Sequence, residues 1–113
     1  MAVYRLASID ALMSMQHAQS LDVNVRNLGG RSFEALLEVS SYAGIIYRGL
    51  CSIQPYTVTG LSHWFRDVAA TSVPLELRVI TNAMATNAAT VEVHVKQYGQ
   101  VIGIFTQEHF EMS

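Results

Sequence analysis

The sequence predicts an α+β domain: an antiparallel sheet of five to seven strands with two helices packed on it, in the order (β)αβββαβββ. Three observations predict it. Between Thr59 and Thr71, the residues Leu61, Trp64, Phe65, Val68 and Ala69 recur at i, i+3, i+4, i+7 and i+8, while Ser62, His63, Arg66 and Asp67 take the other side. That is the stripe of an amphipathic helix. Elsewhere most runs alternate with period two, the pattern of half-buried strands. The strand-like runs come in groups separated by single helical stretches, an order that suits helices laid on an antiparallel sheet rather than a doubly wound fold.

Taken in order, Ala2 to Leu6 reads as a short opening strand or an unpaired arm. Ser8 is a capping residue and Asp10 sits in the first turn, where the helix dipole favours an anion, so the spacing predicts a helix over Ile9 to Gln19 with gap-filling methionines. From Leu21 to Leu28 the period becomes two, with Leu21, Val23 and Val25 pointing one way and Asp22, Asn24 and Arg26 the other. Gly29 and Gly30 suit the positive dihedrals of a tight hairpin, on whose return Phe33, Ala35, Leu37 and Val39 alternate with Glu34, Leu36, Glu38 and Ser40. Glu34 and Glu38 make the outer face of that hairpin acidic.

Tyr42 to Ile53 is apolar on both parities and reads as a strand buried on both faces; Gly44 and Gly49 bend it or let another group approach its backbone. Gln54, Pro55 and Tyr56 lead into the central helix, which Thr57 or Thr59 caps and Pro74 stops. Its Trp64 and Phe65 carry much of the burial energy of a small core. Beyond Pro74, Leu75, Leu77 and Val79 alternate with Glu76, Arg78 and Ile80, and after a loop to Ala89 the strand Thr90 to Tyr98 turns Val91, Val93 and Val95 inward. Setting Arg78 against Glu92 and Glu76 against His94 pairs opposite charges. A two-residue turn at Gly99 and Gln100 then pairs Val95 with Ile104 and Val93 with Thr106. Gln107 to Ser113 extends the last strand or reaches a partner subunit. Each half reads as a helix followed by three strands, a pattern compatible with internal duplication.

At 113 residues the chain, 1–113, is expected to be one globular domain. Hydrophobic residues make up 50% and charged residues only 14%, against roughly 25% in average soluble proteins. Neutral polar and apolar groups must therefore cover much of the surface, and the expectation is that another copy covers part of it, giving a homo-oligomer and most simply a dimer. A net charge of −2 with seven basic residues scattered singly argues against a nucleic-acid footprint, and a single lysine argues against a polybasic membrane patch. Cys51 alone excludes an intramolecular disulfide, and beside Leu50 and Ile53 it reads as a small buried hydrophobe. Arg5, Ser8 and Asp10 interrupt any signal-peptide core, and no run is as long as a membrane span, so the expected location is cytoplasmic.

There is no phosphate-cradling glycine loop, no CxxC or HExxH, no nucleophile elbow and no dinucleotide fingerprint, so no cofactor and no metal are expected. His63 and Asp67, four apart, form an exposed imidazole–carboxylate pair on the predicted helix. Glu108, His109 and Glu111 are too few to hold a metal. His94 belongs to a surface charge ladder with Glu92 and Lys96, and His17 ends the first helix, where the dipole favours its proton. Tyr42, Tyr47, Tyr56 and Trp64 flank the junction between the third internal strand and the central helix and are the candidate ligand-binding residues, in a weakly charged aromatic concavity. The expected function is a non-enzymatic binding or interaction protein, homo-oligomeric, with a small apolar or aromatic molecule as candidate ligand beside those residues. The alternatives are a cofactor-independent enzyme with His63 or His94 as base and a tyrosine hydroxyl as donor, and an immunity or inhibitor-type protein that binds a partner through Glu34 and Glu38.

Overall fold

Alternation of large apolar and polar residues shapes this chain, and alternating runs bury one face when a second layer, here another sheet, closes on it. The computed structural model describes residues 2–7, 19–41, 44–69, 75–82 and 89–112. Its strands are β1 (Ala2–Ala7), β2 (Ser20–Asn27), β3 (Phe33–Ser41), β4 (Gly44–Ile53), β5 (His63–Ala69), β6 (Leu75–Thr81), β7 (Ala89–Gln97), β8 (Gln100–Phe105) and β9 (Glu111–Met112). They form two antiparallel sheets: sheet A in the order β4-β3-β6-β1-β9 and sheet B in the order β5-β2-β7-β8. Tyr4, Leu6, Leu37, Val39, Leu77 and Val79 of sheet A and Leu21, Val23, Val25, Val91, Val93, Val95 and Phe105 of sheet B are fully buried between the layers. No helix among the described residues is long and apolar enough to cross a membrane.

The architecture is therefore a β-sandwich and not an α+β domain with two helices on a sheet. Among the described residues helix is confined to one turn, α1 (Tyr56–Thr59), and a 3-10 turn at Gln107–His109. The predicted helix over Ile9 to Gln19 lies outside the described residues except for its last member. The predicted central helix is strand β5 instead, preceded by α1, which Gly60 ends in the left-handed conformation with its N–H on the Tyr56 carbonyl at 2.7 Å.

The physical reason is a β-bulge. Against β2, Val23 faces Phe65 and Leu21 faces Val68, so a single residue, Asp22, opposes both Arg66 and Asp67. The extra residue sets Phe65 and Val68 three apart on the inward face, which imitates helical spacing in a strand. Asp67 sits at φ 53, and its N–H donates to the Asp22 carboxylate at 2.8 Å.

The β2–β3 hairpin is also not formed: β2 belongs to sheet B and β3 to sheet A, so Gly29 and Gly30 lie in a corner that crosses between layers. Asn27, fully buried, fastens that corner, with Nδ2 donating to the carbonyls of Arg31 (2.7 Å) and Ile53 (3.0 Å) and Oδ1 accepting from Gly29 N–H (2.8 Å). Arg78 does not face Glu92, because β6 and β7 likewise lie in different sheets; Arg78 instead meets Glu38 and Glu76. With the second half opening on strand β5 in place of the predicted helix, the helix-plus-three-strands repeat loses its basis.

Strand β4 is not buried on both faces. It is an edge strand, and Ile45, Ile46 and Leu50 stand exposed. The last turn is centred on Tyr98 and Gly99, both at positive φ (52 and 77), so the register shifts to Val93 opposite Phe105 and Val95 opposite Gly103. Glycine takes the second central position of this turn, in the manner of type I′.

Candidate interaction surface

Along one side of the sandwich, edge strand β4 runs beside edge strand β5. Tyr47, Gly49 and Cys51 face inward from β4, as their partners Val39, Leu37 and Ala35 show, and His63 and Phe65 face inward from β5 opposite Val25 and Val23. The predicted close approach at Gly49 is present: a Cβ there would lie 2.8 Å from Tyr47 Oη and 3.3 Å from Phe65 Cε1. Cys51 Sγ lies 3.4 Å from His63 Nδ1, and the His63 ring meets Phe65 edge-on at 4.6 Å. Sequence reading misses this thiol–imidazole contact because it takes β5 for a helix and so never sets it beside β4.

Burial pushes the His63 pKa down, which makes its ring a weaker base toward the thiol beside it. The adjoining cleft, about 170 Å³ and lined by Ser52, Thr59, Leu61, Ser62 and His63 among others, is smaller than the roughly 300–1,000 Å³ typical of ligand pockets.

Of the four candidate aromatic residues, the three described ones stand on different elements. Tyr47 lies in the β4–β5 seam. Tyr56 belongs to α1 and carries the Arg26 guanidinium over its ring at 4.6 Å. Trp64 is on the outer face of sheet B, opposite Asn24, edge-on to His94 at 5.1 Å and with Arg66 stacked at 4.8 Å. Tyr42 lies outside the described residues.

The charged candidates are similarly committed. His63 and Asp67 do not meet, since His63 turns into the seam while Asp67 binds Lys96, which also reaches Asp22 at 3.1 Å. His94 Nε2 is 3.0 Å from Glu92, and His109 Nδ1 accepts the Thr106 N–H at 3.1 Å to close the 3-10 turn. Glu38 is buried between Arg48 (2.9 Å) and Arg78 (3.6 Å), while Glu34 on the same face stands exposed. No group of three or more His, Cys, Asp or Glu among the described residues is placed to hold a metal ion.

The four sheet edges differ sharply. An unprotected edge strand invites another strand, and proteins blunt it with short length, charge, proline or a bulge. Edge β9 has two residues and an Arg5–Glu111 ion pair at 2.9 Å. Edge β5 has a bulge that carries the charges of Arg66 and Asp67. Edge β4 carries Arg48 and has β5 alongside. Edge β8, Gln-Val-Ile-Gly-Ile-Phe, has a bulge at Ile102 but neither charge nor proline, and Val101 (49%), Ile102 (37%) and Ile104 (50%) are exposed on it, with Tyr98 (82%) in the turn before.

Comparison with protein-family models, with curated proteins and with solved structures returns no match.

Proposed function

We propose that this is a non-enzymatic interaction protein that works as a homo-oligomer assembled through exposed apolar strand surface. The observation that carries this reading is strand β8: six residues at a sheet edge, uncharged, with half-exposed branched side chains and one row of backbone hydrogen-bonding groups facing away from β7. A chain with 14% charged residues has few other means of keeping such an edge solvated. Tyr47, Tyr56 and Trp64 stand on different elements, so the exposed edge supports this reading more directly than a shared aromatic pocket does.

The test is oligomeric state, read by native mass spectrometry and sedimentation velocity over a dilution series of the purified protein. A dimer or larger closed species that dissociates on dilution is the expected result. A monomer throughout the micromolar range removes the proposal.

A further inference from the structure

We infer that β8 pairs antiparallel with β8 of a second copy about a two-fold axis, with Val101 of each protomer opposite Ile104 of the other. This rests on the homo-oligomer reading and adds the seam and its register. Across β7, Ile104 faces His94 and Val101 faces Lys96, which puts both on the outer face of sheet B, whereas Gly103 faces Val95 and Phe105 faces Val93 on the inner side. Val101 and Ile104 share a face although they are three apart, because the ladder shifts between Val95 and Lys96, where β8 carries one residue too many.

Directly opposed residues in an antiparallel pair point to the same face. Under a two-fold axis, centring the pair on Ile102 or on Gly103 sets outward Val101 against inward Gly103 or Phe105. Centring it between Ile102 and Gly103 matches the faces: Val101 meets Ile104 twice, and each Ile102 stands over a glycine that leaves it room. The two branched pairs form one apolar strip on the outer face.

A second copy is the occupant this edge fits best. The strand is self-complementary in that register and presents no charge for a charged partner to read. The pairing also closes. It joins two four-stranded sheets into one of eight strands, β5-β2-β7-β8-β8-β7-β2-β5, whose outer edges are both the bulged, charged β5. An isologous contact bounded by blunted edges ends at the dimer instead of propagating.

The experiment compares the wild type with Ile104→Lys, and with Leu50→Lys as the control on exposed β4, by sedimentation and native mass spectrometry. Circular dichroism and Trp64 fluorescence confirm that each variant is folded. Ile104→Lys is expected to raise the dimer dissociation constant by roughly a hundredfold or more, since the charge enters the seam at two symmetric places, while Leu50→Lys stays dimeric. In a Cys51→Ala background, Val101→Cys and Ile104→Cys proteins mixed and oxidised are expected to cross-link to each other, and neither alone, because only directly opposed positions reach disulfide geometry. A dimer that survives Ile104→Lys, or same-position cross-links only, overturns the seam and leaves self-assembly standing. A dimer broken by Leu50→Lys moves the interface to sheet A. A monomeric wild type overturns both readings.

Discussion

Removing the Asn27 side chain tests the account of how the two layers are joined. Asn27 makes three hydrogen bonds of 2.7 to 3.0 Å from a fully buried position: two donated to the Arg31 and Ile53 carbonyls and one accepted from the Gly29 amide. Asn27→Ala removes all three. At about 1 kcal/mol net per bond, with the Ile53 carbonyl left without its partner in a buried setting, the loss comes to about 3–4 kcal/mol. For a domain of this length that lowers Tm by roughly 12–16 °C, at about 4 °C per kcal/mol. The assay is urea unfolding followed by the fluorescence of Trp64, the single tryptophan, with circular dichroism as a second probe. Asn27→Asp discriminates further. It keeps the volume and the acceptor for Gly29, yet sets a carboxylate oxygen against two carbonyls, so it is expected to be at least as damaging as alanine. A loss below about 1 kcal/mol for Asn27→Ala, with unchanged denaturant dependence, refutes the reasoning and means that packing alone holds the corner.

Gly49→Ala forces a methyl against Tyr47 and Phe65 and is expected to destabilise by about 1–3 kcal/mol in the same unfolding assay. Tyr98→Asn relieves a bulky side chain at positive φ in the β7–β8 turn and is expected to stabilise by up to about 1 kcal/mol, read as a higher urea midpoint. Two groups set the acid side of the stability profile. Burial works to raise the Asp22 pKa, but the Asp67 amide, Lys96 and Arg66 outweigh it and hold the carboxyl below its ordinary value. Its contribution is thus whole above the unfolded value of about 4 and is lost as pH falls through the lower folded value. His63, lowered by burial, is neutral in the fold, so stability also falls as pH drops from about 6.5 toward its lower folded pKa. Unfolding free energies measured across pH should show His63→Gln flattening the higher segment and Asp22→Asn the lower one; unchanged slopes would contradict the assignment.

Much of the local structure is legible in the residues. Leu21, Val23 and Val25, then Leu37 and Val39, then Leu77 and Val79, then Val91, Val93 and Val95 all face the core as their alternation predicts. What alternation does not encode is which strand lies beside which. Gly29-Gly30 serves a corner between layers as well as a hairpin, and the deciding bond runs from Asn27 to Ile53, across 26 positions of chain. The apolar run at Ile45 and Ile46 marks an exposed edge rather than a doubly buried strand, because composition reports greasiness and not coverage. The Phe65–Val68 spacing deceives for a local reason: a bulge adds one residue and turns a period of two into an apparent period of helix. The thiol–imidazole contact of Cys51 and His63 follows from that same error, since it exists only once β5 is a strand beside β4.

Lys96, the sole lysine, sits at the hub of that bulge with its ammonium between Asp67 and Asp22. Those two carboxylates push its pKa up, Asp67 foremost, so its lone pair is withheld from acylating reagents at neutral pH. Side-chain amine chemistry on this protein therefore has a single address, and a guarded one. A reagent that does attach there discharges the cation that clamps β7 to the kink in β5, so conjugation becomes a report on whether the clamp is open, and dye or resin coupled through lysine marks the loosened molecules first.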